Sequence, residues 1–112
     1  MVEKLSSFNN EAPYRRAQYI LTGATTGDWI ILDSLKPPDH IIAAVIIPIG
    51  ETGEGYFEFT AEDLLSVQDG TVQGVKWAAG NVRLTRYNCF PSGITALRPV
   101  NVTGTNKYII SI

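Results

Sequence analysis

Apolar and polar residues alternate along most of this chain, and Gly, Pro, Asn and Asp break the alternation at short intervals. In Tyr56-Phe57-Glu58-Phe59-Thr60, Phe57 and Phe59 share one face while Tyr56, Glu58 and Thr60 share the other, as in an antiparallel strand buried on one side. Strand-like runs recur at 17–22, 28–33, 40–49, 55–60, 72–78, 81–87, 94–102 and 106–112. Between them stand turn-forming clusters such as Lys36-Pro37-Pro38-Asp39, Gly50-Glu51-Thr52-Gly53-Glu54-Gly55 and Pro91-Ser92-Gly93. The last two runs flank Thr103-Gly104-Thr105-Asn106, whose Gly and Asn suit the positive φ of a hairpin turn. One short helix is expected at 61–66, capped by Thr60, with Glu62 and Asp63 near its positive end. The expected fold is all-β, an antiparallel β-sandwich or jelly roll of about eight strands.

The run at 40–49 is apolar at both parities, so both of its faces need cover, one from the opposite sheet and the other from something else, for which another subunit is a candidate. Pro48 limits strand pairing near its end. Residues 1–16 have neither a helical stripe nor strand alternation, and Asn9, Asn10 and Pro13 punctuate them. They read as an extended N-terminal arm (1–16) ahead of a β-sandwich domain (17–112). In the arm, Leu5, Phe8 and Tyr14 are isolated apolar anchors, and Arg15 and Arg16 are bidentate donors for acidic partners.

Composition narrows the function. A chain of 112 residues has room for one domain, and 45% hydrophobic against 18% charged residues describes an ordered protein. A net charge of −2 supplies no field for phosphates, so nucleic acid is not an expected partner. The most apolar stretch, 41–49, is about half a membrane helix, and 1–16 lacks the apolar segment of a secretory leader, so no membrane partner is expected and synthesis is placed in the cytoplasm. The single Cys89 excludes an intrachain disulfide and reads as a small buried hydrophobe. Asn101-Val102-Thr103 matches a glycosylation acceptor by chance.

No residue pattern points to catalysis, a cofactor or a metal. His40 is the one His, and a cupin-like metal site needs several. Asp39 and His40 would face opposite ways on a strand, and no Gly-x-Ser-x-Gly elbow accompanies them. Glu51, Glu54, Glu62, Asp63 and Asp69 lack the regular spacing of a calcium loop. The 51–55 loop reads as a hairpin tip, since a phosphate cradle would need a following helix with Lys. Trp29, Trp77, Tyr56, Tyr87 and Tyr108 are the candidates for a sugar-stacking platform, weighed against burial in the core or an interface. Arg83, Arg86 and Arg98 have forked groups suited to carboxylates across a subunit boundary, and Pro99 beside Arg98 suggests a sheet edge or a bulge.

The most specific pattern lies roughly in 70–112: the Asp69-Gly70-Thr71-Val72 segment at its start and Trp77, then Ser92-Gly93-Ile94-Thr95-Ala96-Leu97-Arg98-Pro99, then Asn101-Val102-Thr103-Gly104 before a short apolar terminal strand. This pattern resembles small β-sandwich structural proteins of tailed bacteriophage virions, which serve as head-decoration or accessory subunits. The resemblance implies a non-enzymatic capsid decoration or cement protein, made in the host bacterial cytoplasm and located in the virion. Its expected partners are other virion proteins, foremost the major capsid protein, and copies of itself, with a trimer the first choice. A tail or neck accessory subunit and a carbohydrate-binding β-sandwich module are the alternatives. Phe8, Tyr14, Arg15, Arg16, Trp77 and Arg98 are the residues expected at subunit or partner boundaries.

Overall fold

Two strands far longer than the sequence pattern suggests organise the molecule. The computed structural model describes residues 2–6, 16–32, 42–90 and 94–111. Its strands are β1 (Val2–Ser6), β2 (Arg16–Thr22), β3 (Thr25–Thr26), β4 (Ile30–Ile31), β5 (Ile42–Thr60), β6 (Val75–Lys76), β7 (Arg86–Phe90) and β8 (Ala96–Ser111), with one short helix, α1 (Leu64–Asp69), among the described residues. All strand pairs are antiparallel and belong to one eight-stranded hydrogen-bonded sheet. The all-β antiparallel class expected from the alternation is therefore the observed one. No helix among the described residues is long and apolar enough to cross a membrane.

β5 and β8 run side by side from Ala43↔Ser111 to Thr60↔Ala96, and their register shifts where residues 50–53 of β5 bulge opposite Gly104. The bulge bends both strands and divides the sheet into two halves that face each other. In one half the order is β1, β2, the end of β8, the start of β5, then β7. In the other, β3 and β4 flank the start of β8, which pairs with the end of β5, and β6 follows. Leu21, Ile42, Ala44, Ile46, Tyr108 and Ile110 from the first half meet Phe57 and Leu97 from the second. Phe57 packs edge-on against Trp77 at 5.1 Å and Tyr108 at 5.4 Å between ring centres. Each such buried side chain contributes about 1.5–3 kcal/mol by leaving water.

Several expectations need correcting. Thr103-Gly104-Thr105-Asn106 and Gly50 to Gly55 were expected to be hairpin tips, but both lie within continuous strands. Gly supplies the same positive φ to a bulged corner as to a turn: Gly50 has φ 89° and Gly104 φ 67°, whereas Asn106 does not adopt a positive φ. A β-carbon on Gly104 would stand 2.8 Å from the Thr52 carbonyl oxygen, so the corner requires glycine there. Part of the expected arm is sheet, because Val2–Ser6 pairs with β2 through Val2↔Leu21, Glu3↔Ile20 and Lys4↔Tyr19. The helix starts later than expected, capped by Asp63, whose Oδ1 accepts the Ser66 N–H at 2.9 Å, while Thr60 Oγ1 accepts the Glu62 N–H instead. The runs at 28–33, 72–78 and 81–87 shrink to two-residue strands and an isolated Gly55↔Val82 bridge before β7.

Candidate functional site

The largest buried polar group lies at the corner. Asn106, fully buried, donates its amide to the Glu54 and Thr103 carbonyls, both at 3.3 Å, and to Asn101 Oδ1. Asn101 donates to the Gly23 and Gly104 carbonyls at 2.8 and 2.9 Å, and the Tyr108 hydroxyl donates to the Val100 carbonyl at 3.0 Å. Three acceptors around the Asn106 nitrogen fix its orientation, because a flipped amide would set oxygen against oxygen. Its Oδ1 has no hydrogen-bond partner among the described residues and lies on the side of Gly53 where a β-carbon would stand. Burial pushes the Tyr108 hydroxyl well above its ordinary pKa, so it stays protonated as a donor. These amides and one phenol are suited to tying two bent strands together, with no group poised to accept a proton.

Of the five acidic residues weighed for calcium, Glu54, Glu62 and Asp63 have structural duties. Glu54 takes Arg83 at 2.7 Å on one oxygen and the Asn81 amide at 2.7 Å on the other, and these bonds hold its carboxyl below the usual range. Glu62 accepts the Gln73 N–H, and Asp63 caps α1, where the Ser66 backbone N–H also lowers its pKa. Among the described residues no three His, Cys, Asp or Glu side chains gather as metal ligands, and His40 lies outside those residues.

Of the residues expected at boundaries, Phe8, Tyr14 and Arg15 lie outside the described residues, and Arg16 is exposed at the start of β2. Trp77 is 2% exposed, its indole N–H donating to the Gly80 carbonyl, so it belongs to the core and not to a boundary. Arg98 finds its carboxylate within its own chain: Glu58 lies opposite it on β5, with an Arg98 nitrogen 2.7 Å from Glu58 Oε1, and Trp29 stacks under the guanidinium with its ring centre 4.3 Å away. On its other side the ladder is interrupted at Arg98 and Pro99, as expected: between β3 and β4 three residues, 27–29, stand opposite these two, and Gly27 N–H bonds the Pro99 carbonyl at 2.8 Å.

The aromatic platform also comes apart. Trp77 and Tyr108 are core residues, Trp29 carries Arg98, and Tyr56 carries Lys76 at 4.4 Å from its ring centre. Tyr87 is the open one, 71% exposed. It shares an outward-facing row with Val45 and Ile109, flanked by Ala43, Ile47 and Ile20, which are half-buried. The doubly apolar 40–49 run is thus resolved by parity: Ile42, Ala44 and Ile46 enter the core, and the alternate residues form this outer face. Cys89, expected in the core, is exposed on the same strand as Tyr87.

Beside Tyr87 a shallow cavity of about 260 Å³ opens, lined by Ala78, Ala79, Arg86, Tyr87 and Asn88. Leu84, 81% exposed, precedes it. Val82, two residues before Leu84, is buried at the Gly55↔Val82 bridge, but the chain leaves the sheet after that bridge and the parity is lost. Backbone addition at this edge is discouraged, because Asn88 Oδ1 already accepts the Cys89 N–H at 2.9 Å. What the surface offers is Arg86 and Tyr87, side chains of the kinds that anchor protein interfaces, around a notch.

No family model matches the chain, and no curated protein matches its sequence. Solved structures do resemble it. An oxalate oxidase superposes with a TM-score of 0.56 at 13% identity, over 99% of this chain and 49% of that one. An oxalate oxidase in complex with the substrate analogue glycolate gives 0.56 at 12%, with the same coverage. The Cnp3 cupin domain of Schizosaccharomyces pombe gives 0.51 at 12%, over 98% and 59%. The chain spans about half the length of the oxalate oxidase chains. One of these neighbours is an enzyme and another a cupin domain, and at such identities the likeness is one of fold: the corner-bent sheet of this chain is a cupin-like jelly roll.

Proposed function

We propose that this chain is a non-enzymatic structural subunit of a tailed-bacteriophage particle, a capsid decoration or cement protein that self-associates, with a trimer the first choice, and binds the major capsid protein. The observation that carries the reading is the outward row Tyr87, Val45 and Ile109, with Leu84 beside it: an apolar, aromatic surface in which Tyr87 and Leu84 are exposed and Val45 and Ile109 half-buried. The resemblance of 70–112 to virion proteins supplies the class of partner. The carboxylates with shifted pKa values, Glu54 and Asp63, are engaged in holding the corner and the helix, which favours a scaffold over a reaction centre. A cement protein stabilises by bridging: it binds the assembled lattice in preference to its parts, and mass action favours the particle.

A second reading draws on the cupin-like fold, which oxalate oxidase shares. It makes the chain an enzyme, and it has to find its chemistry without a metal-ligand cluster among the described residues. The test is co-sedimentation of the purified chain with empty capsids assembled from the major capsid protein encoded nearest to it, alongside a glycan-binding screen. Stoichiometric capture by capsids supports the proposal. Glycan binding with no capsid capture, or the absence of capsid and portal genes from the neighbourhood, overturns it.

A further inference from the structure

Charge is distributed along this chain in a way that its net value conceals. All 11 acidic residues fall within 1–69, and 70–112 holds Lys76, Arg83, Arg86, Arg98 and Lys107 with no acid. Folding neutralises part of the imbalance, since Glu54 and Glu58 in the second half of β5 take Arg83 and Arg98. What is left is polar across the molecule. Glu62, Asp63 and Asp69 surround α1 with no base between 61 and 75, and Leu65, 70% exposed, stands among them. Arg86 and Lys107 have no ion-pair partner among the described residues, and Arg86 lines the notch beside Tyr87.

The two surfaces lie apart. α1 follows the end of β5 farthest from the corner, whereas Arg86 pairs with Ile46, close to the corner, and Arg83 is tied to Glu54 at the corner itself. One surface is acidic around an exposed Leu; the other carries Arg86 at a notch, with exposed Tyr87 in it and exposed Leu84 beside it. Each supplies what the other lacks, in charge and in apolar contact.

We propose that copies of this chain associate head to tail, with Leu65 and Asp69 of one copy seated against Leu84, Arg86 and Tyr87 of the next. The inference rests on the assembly reading above and deepens it by naming the two surfaces. A contact between different patches is heterologous, so it repeats, closing a ring when the rotation allows. The capped edge of β7 fits this, because the contact uses side chains and leaves the strand ladder alone.

The test is sedimentation velocity on the full chain from about 1 to about 100 µM, a range that spans moderate self-affinities. The expected result is a concentration-dependent oligomer whose association weakens about tenfold as NaCl rises from about 0.05 M to about 0.5 M. Arg86→Glu and Asp69→Lys each weaken it about tenfold or more, and the double variant recovers most of the loss. Both residues are exposed, and circular dichroism checks that each variant is folded. A wild-type monomer throughout the range, single variants that associate normally, or a double variant without recovery overturns the proposal. Capsid co-sedimentation is read on the same samples. Monomers that still coat capsids sink the head-to-tail contact and leave the assembly reading standing; oligomers that ignore capsids do the reverse.

Discussion

The hydroxyl of Tyr108 fills the space that a β-carbon on Gly55 would need. Strands β5 and β8 come this close just past the corner, where the hydroxyl also reaches the Val100 carbonyl. Gly55→Ala is expected to lose about 1–3 kcal/mol in urea unfolding, and Tyr108→Phe about 1–2 kcal/mol. The double variant should lose less than the sum, because removing the hydroxyl relieves part of the clash. Strict additivity would show that the two groups do not meet.

Asn106 should tolerate substitution poorly. Asn106→Asp sets a carboxylate against the Glu54 and Thr103 carbonyls and Asn101 Oδ1, replacing donation by repulsion in a buried site. A loss of about 3 kcal/mol or more is expected, and larger at neutral pH than at pH 4, where the new carboxyl is partly protonated. A variant as stable as the parent in thermal melts would mean that the corner does not depend on this amide.

Trp77 and Tyr87 should behave oppositely. Trp77→Ala removes the side chain that meets Phe57 and is expected to cost about 3–5 kcal/mol. Tyr87→Ala should change stability by about 0.5 kcal/mol or less while weakening self-association. Comparable melting losses in the two would contradict their assigned places.

Cys89 is exposed, so a thiol reagent such as DTNB should label the native chain to about one equivalent without denaturant. Labelling that waits for unfolding would return Cys89 to the interior.

Stability should fall at both ends of the pH scale. Glu54, held low by Asn81 and Arg83, and Asp63, held low by Ser66, have folded pKa values below their unfolded ones. Their contribution is present above about pH 4 and is lost as pH falls through the folded values. Tyr108 and Tyr19 are raised, both chiefly by burial, so their contribution is complete below about pH 10 and is lost above it. Urea midpoints measured across pH should show both limbs, and Glu54→Gln should flatten the acid one. An acid limb unchanged by that substitution would remove Glu54 from the account.

The alternation around Phe57 and Phe59 was enough to establish strands and their antiparallel class and to turn Phe57 inward, because period two is a local property of extended backbone, although it did not foresee that Thr60 is buried and Phe59 only half-buried. Which strands continue through their glycines was beyond it. Gly104 and Gly50 adopt left-handed φ in a bulged corner as readily as in a hairpin, and only the pairing of β5 with β8 along both halves decides between them. The same limit applied to single side chains. Trp77 went inside and Tyr87 outside although both are aromatics on short strand-like runs, and Arg98 took a carboxylate forty residues away in its own chain where a partner's was expected. Burial and pairing are set by which distant segments close over a residue, and that information is spread along the whole chain instead of residing in any short stretch of it.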